Sequence, residues 1–163
     1  MCIRDRYKVP LPGGRTQSQN DAFVLARIGD QTAVIMIEGK VEEPFGDPIS
    51  NWFDPNSKGK IERHDYLAQT LSLTESPPVH LRYQLFHRTA SAIIEAARSK
   101  ADLAIMLVHS FSQTHKWFGD YAAFADLMKC EGAHLGNVVK SDLETQRPLY
   151  LGWVAGNPVY LTR

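Results

Sequence analysis

Apolar residues crowd two adjoining runs, 21 to 28 and 31 to 41, which are separated by Gly29-Asp30. A Gly-Asp dipeptide between such runs signals a two-residue hairpin loop, with glycine supplying the positive φ that a II′ turn needs. The loop length then sets the register: 28 opposite 31, 25 opposite 34, 23 opposite 36 and 21 opposite 38. One face of the pair carries Ala22, Val24, Ile35 and Ile37, and the other Phe23, Leu25, Val34 and Met36. A strand pair apolar on both sides belongs inside a sheet covered by helices.

The rest of the chain reads as alternating helix and strand. Residues 7 to 20, rich in Pro, Gly and polar groups, predict an extended leading loop. Residues 44 to 60, with Pro-flanked turns, predict a long surface loop. A short helix over 61–73 turns Ile61, Leu67 and Leu71 inward, and Ser76-Pro77-Pro78 stops it. The best helical pattern spans 81–99, with Leu85, Phe86, Ile93, Ile94 and Ala97 on one side. Gln84, Arg88, Ser91, Glu95 and Arg98 recur on its other side at three- and four-residue steps. A buried strand over 102–109, a helix over 117–129 and a last strand over 149–154 complete the pattern. No repeat or linker divides it. The expected fold is α/β, one mixed β-sheet flanked by helices.

Composition narrows the function classes only a little. A chain of 163 residues suits one domain with a sizeable core. Its formal net charge of zero gives no overall electrostatic footprint for nucleic acid, although a local basic groove stays open. No apolar stretch approaches the roughly 20 residues that span a membrane. Met1-Cys-Ile-Arg-Asp-Arg6 lacks the apolar segment of a secretory signal and looks like a translated sequencing adaptor. On that reading residues 1–6 are an artefact, residues 7–163 are the domain, and its natural N-terminus is missing. Cys130 would then be the only thiol, which points to a reducing, cytoplasmic setting.

The register gives the hairpin its chemistry. Asp21 opposite Glu38 puts two carboxylates on one face with Cβ atoms roughly 4.5–5.5 Å apart. A proton, a basic side chain or a metal ion must neutralise them. Lys40, two residues after Glu38, projects from the same face.

An acid, a hairpin, then Glu-x-Lys on the next strand, followed by a long helix and a buried strand, resembles the PD-(D/E)XK nuclease superfamily. The resemblance places a restriction-endonuclease-like core here, with Asp21 as first acid and Glu38-Gly39-Lys40 as second element. Asn20 stands where a proline often precedes the first acid, and the superfamily's leading helix has no counterpart in this chain. The stretches around Ser18–Arg27, Ile37–Gly46 and Leu81–Ser91 also look like a bacterial domain family of unknown function. The nuclease resemblance implies a Mg²⁺ held by Asp21, Glu38 and the Gly39 carbonyl. It also implies Lys40 activating water and Gln84 or Arg88 reaching the phosphate, for hydrolysis of nucleic acid, DNA before RNA. Such folds also serve as binding or interaction modules without catalysis, and the alternative reading is such a module, or a domain in which Asp21, Glu38 and Lys40 form only a buried charge network.

Other constellations are weaker. His109, His115, Cys130 and His134 match no compact zinc-site spacing. No G-x-S-x-G, G-x4-G-K-[ST] or G-x-G-x-x-G motif occurs. Trp52, Trp117 and Trp153 lack interleaved basic residues and read as packing residues.

Overall fold

The hairpin forms in the predicted register. In the computed structural model, which describes residues 1–157, 159 and 160, β2 (Ser18–Ile28) pairs antiparallel with β3 (Gln31–Lys40). Ile28 lies opposite Gln31, Leu25 opposite Val34 and Phe23 opposite Met36. Gly29 takes φ +60°, the left-handed value that its place in the turn requires.

A six-stranded mixed sheet is built outward from this pair. Its order is β1-β2-β3-β4-β6-β5, with β1 Cys2–Val9, β4 Leu103–Ser110, β5 Val138–Lys140 and β6 Leu149–Ala155. β3, β4 and β6 run parallel, and β1 and β5 are antiparallel edges. Helices α1 (Ile49–Trp52), α2 (Lys58–Thr70) and α3 (Tyr83–Arg98) fill the crossover from β3 to β4. Helix α4 (Phe118–Leu127) lies in the crossover from β4 to β6. None of the helices among the described residues is long and apolar enough to cross a membrane.

The α/β class and the mixed sheet follow the reading from sequence, but three elements differ. Residues 2–9 form a strand, because Cys2 to Val9 hydrogen-bond along β2, so the expected leading loop shrinks to the segment between Val9 and Ser18. The 44–60 loop contains the single turn α1. The short β5 was not predicted; Val138 and Val139 are too few residues to show a period.

All four helices feed one apolar cluster, which includes Ile49, Leu67, Phe86 and Phe124 together with Met36, Met106, Leu151 and Trp153. The other face of the sheet carries a smaller cluster made of strand residues: Ala33, Leu103 and Ile105, with Ile35 and Tyr150 against them. The apolar second face of the hairpin is thus packed mainly by its neighbours within the sheet. Helices α2, α3 and α4 stop in the same way. Ser72, Lys100 and Lys129 adopt φ of +53° to +55°. The following N–H groups reach back to Ala68, Ala96 and Ala125, closing Schellman motifs without glycine.

Candidate functional site

The expected carboxylate pair does not assemble. The ladder between β2 and β3 ends at Ala22–Ile37, one step before Asp21–Glu38. Along β2 the core-facing positions are Ser18 and Asn20 at the start but Phe23 further on, so the strand changes face near Asp21. Arg6, which falls across from Asp21 in β1, takes φ +49° and is skipped by the ladder. This local irregularity behaves as a bulge does: it breaks the two-residue alternation on which the sequence argument relied. Asp21 is exposed, and its Oδ2 accepts a 2.7 Å hydrogen bond from the Gly39 N–H. A Cβ on Gly39 would stand 3.4 Å from that oxygen. Since Gly39 and Glu38 alternate, the Asp21 carboxylate lies on the other side of the sheet from Glu38.

Glu38 and Lys40 do share the buried face, at 3% and 4% exposure. Lys40 Nζ donates to Glu38 Oε1 at 2.7 Å, and Arg88 Nε to Glu38 Oε2 at 2.5 Å. Phe45, fully buried, lies under the Lys40 ammonium at 5.1 Å from its ring centre. Of the three ways to neutralise the carboxylate, the structure uses basic side chains, and two of them. This donor set does not fit a Mg²⁺ ion. Both Glu38 oxygens are taken, Asp21 faces away, and no group of three His, Cys, Asp or Glu suited to a metal occurs among the described residues. The His109, His115, Cys130 and His134 set is likewise not gathered.

Gln84 and Arg88 both face a concavity. They line a cleft of about 470 Å³, within the usual range of small-ligand sites. Its walls are the 11–19 segment, residues Gly46 and Asp47, Trp52, and facing residues of α2 and α3. The Glu38–Lys40 pair sits behind this wall, joined to it by Arg88. Arg88 NH1 also donates to Ser18 Oγ at 3.3 Å, and Ser18 Oγ lies 2.8 Å from both Ser91 Oγ and His87 Nδ1.

Two devices hold the 11–17 loop against α2. Gly13, at φ +79°, packs so closely on Gly59 that a Cβ would lie 2.0 Å from the Gly59 carbonyl oxygen. Arg63 then reaches into the loop, donating from Nε to the Pro12 carbonyl at 2.8 Å and from NH2 to that of Thr16 at 2.8 Å. The ordering entropy of a glycine-rich loop is thereby offset by charge-assisted bonds.

The cleft is electropositive. Burial, followed by the Arg88 and Arg63 guanidinium charges, holds the His87 imidazole well below its ordinary pKa. His87 Nδ1 lies 2.8 Å from Ser18 Oγ and 3.4 Å from an Arg88 N–H. Trp52 and Tyr83 stack at 3.7 Å between ring centres and 9° between planes, forming an aromatic wall. The packing role expected for Trp52 therefore lies at the cleft, whereas Trp153 is fully buried in the core.

A family model, Domain of unknown function (DUF6946), matches residues 6–158. The chain belongs to that family. No match is found among curated proteins or among solved structures. Of the residues that the sequence of this DUF6946 domain singles out, Gln84 and Arg88 line the cleft and Glu38 and Lys40 lie behind Arg88, while Ser18, Lys60 and Arg63 line it without having been singled out. The local signal for them was Gly13-Gly14-Arg15, since paired glycines ahead of a strand mark a close backbone approach. What they approach, Gly59, is far away in sequence.

Proposed function

We propose that this DUF6946 domain is a ligand-binding module, with its site in the cleft between the 11–19 segment and helices α2 and α3. One observation carries the reading. The residues that would supply catalysis in a nuclease are spent on structure: Glu38 is buried and bonded through both oxygens, and through Arg88 it braces the wall of an open polar cleft. Buried charge that is fully paired holds a site in shape, and a preformed concavity with convergent polar groups is the usual form of a binding site. The strand arrangement, with Glu38-Gly39-Lys40 closing β3 beside a long helix, supports descent from a nuclease-like framework. Such a framework carries no obligation to cut.

A fragment screen read by NMR chemical-shift changes tests the proposal. Hits should cluster on Trp52, Tyr83, Gln84 and His87. In parallel, DNA and RNA, single- and double-stranded, should remain uncut by the protein with Mg²⁺ or Mn²⁺. Metal-dependent cleavage that disappears in a folded Glu38→Gln variant would overturn the binding-module reading in favour of a nuclease. Fragments that map nowhere near the cleft would overturn the choice of site.

A further inference from the structure

The charges and orphaned acceptors of this cleft say what it should hold. Lys60, Arg63 and Arg88 line it against a single carboxylate, Asp47. The three cations come from two helices, α2 and α3, so they converge from different sides. They also differ in commitment. Arg63 spends Nε and NH2 on loop carbonyls and also bonds the Tyr83 hydroxyl, whereas Arg88 spends Nε and NH1 on Glu38 and Ser18 and keeps NH2. Among the described residues, the Lys60 ammonium makes no hydrogen bond or ion pair. With Arg88 paired to Glu38, Lys60 and Arg63 still outnumber the one carboxylate that lines the cleft, an excess of positive charge that suits an anion. The His87 ring lines the same cleft.

The acceptors complete the description. Gln84 Oε1 is buried without a hydrogen-bond partner. Gln84 lines the cleft wall, and a Cβ on Gly46 would stand 3.9 Å from its Cβ. An unpaired buried acceptor is costly, so a ligand that brings a donor to it gains affinity. The Asp47 carboxylate, on the same loop as Gly46, is a second acceptor, without a partner among the described residues.

We infer that the cleft binds a small phosphate monoester bearing hydroxyl groups. Its phosphate is seated among Lys60, Arg63, Arg88 and His87, and its hydroxyls donate to Gln84 Oε1 and Asp47. This inference rests on the cleft being the binding site. Carboxylates fill the cation set less completely, and a neutral sugar leaves it unpaired.

Titration calorimetry and NMR with three probes, inorganic phosphate, ribose and ribose 5-phosphate, separate these contributions. Phosphate should bind saturably and shift the His87 ring resonances, and chloride at equal ionic strength should not. Ribose 5-phosphate should bind about tenfold more tightly than phosphate, the worth of one or two well-made hydrogen bonds. Ribose alone should show no saturable binding. Lys60→Ala should weaken phosphate and ribose 5-phosphate alike by roughly tenfold. Gln84→Leu should remove the advantage of ribose 5-phosphate and leave phosphate affinity in place. Lys60 is partly exposed and its ammonium makes no bond among the described residues, so its variant tests binding with the fold intact; Lys116→Ala, outside the cleft, is the control. Phosphate binding that chloride reproduces, or that Lys60→Ala leaves unchanged, would overturn the inference. If neutral fragments still map to the cleft in that case, the binding-module reading survives alone. If nothing maps there, both fall.

Discussion

Substitutions in the Glu38 cluster separate a structural charge network from a catalytic one. Two cations, Lys40 and Arg88, flank one anion, and their side chains are 4%, 10% and 4% exposed for Lys40, Arg88 and Glu38. Glu38→Gln removes the only buried negative charge and leaves two buried cations facing a neutral amide, with the half-exposed Glu43 carboxylate 3.9 Å from Lys40 as the remaining anion. Breaking a buried pair in this way costs about 3–5 kcal/mol, because the surviving charge has lost water and found nothing in exchange. Lys40→Met is different. It leaves Glu38 paired with Arg88, a neutral combination, and places a thioether against Phe45. Replacing rather than orphaning a buried charge is close to neutral, so this variant should lose about 1 kcal/mol or less. Urea denaturation followed by tryptophan fluorescence measures both, since Trp153 is fully buried. In thermal melts the Glu38→Gln loss corresponds to roughly 6–20 °C at 2–4 °C per kcal/mol for a domain of this size. The reasoning fails if Glu38→Gln lies within about 1 kcal/mol of wild type, or if Lys40→Met is the more damaging of the two. A catalytic pair would give the opposite pattern, with activity lost and stability kept.

Three further outcomes follow from the geometry. Because the folded His87 pKa is depressed, the unfolded chain binds the extra proton first; stability should fall as pH drops below about 6.5 toward the folded value. His87→Asn should flatten that limb in denaturation curves at pH 7.5 and 5.5. Gly13→Ala should cost more than Gly29→Ala, roughly 3 kcal/mol against about 1 kcal/mol in urea melts. Both take positive φ, but a Cβ on Gly13 meets the Gly59 carbonyl whereas one on Gly29 meets nothing within 4 Å. Burial pushes the Cys130 thiol up to about 12, so a disulfide reagent at neutral pH should label exposed Cys2 quickly and Cys130 only on unfolding. Equal labelling rates in native protein would contradict that burial.

Local patterns alone determined much of this domain. The Gly29-Asp30 loop set the register of β2 and β3, since a two-residue turn admits one alignment. The apolar stripe of Leu85, Phe86 and Ile93 marked the face of α3 that packs on the sheet. Continuous apolar runs identified β4 and β6, because a strand covered on both sides shows no polar positions. Helix ends were less legible: Ser72, Lys100 and Lys129 stop three helices in a conformation that sequence signals assign to glycine.

The site was decided by contacts distant in the chain. Alternation carried Asp21 to the face of Glu38 on paper, but a face change beside Arg6 turned it outward, and period-two reasoning cannot see a bulge. Glu38-x-Lys40 gave no sign that Arg88, 50 residues on, would take the second carboxylate oxygen. The cleft joins residues 13 and 59, 18 and 91, 46 and 84. A charged side chain spells the same in sequence whether it is bonded to a carbonyl, paired in the core or without a partner among the described residues, and only the folded packing assigns Arg63, Arg88 and Lys60 to those three states.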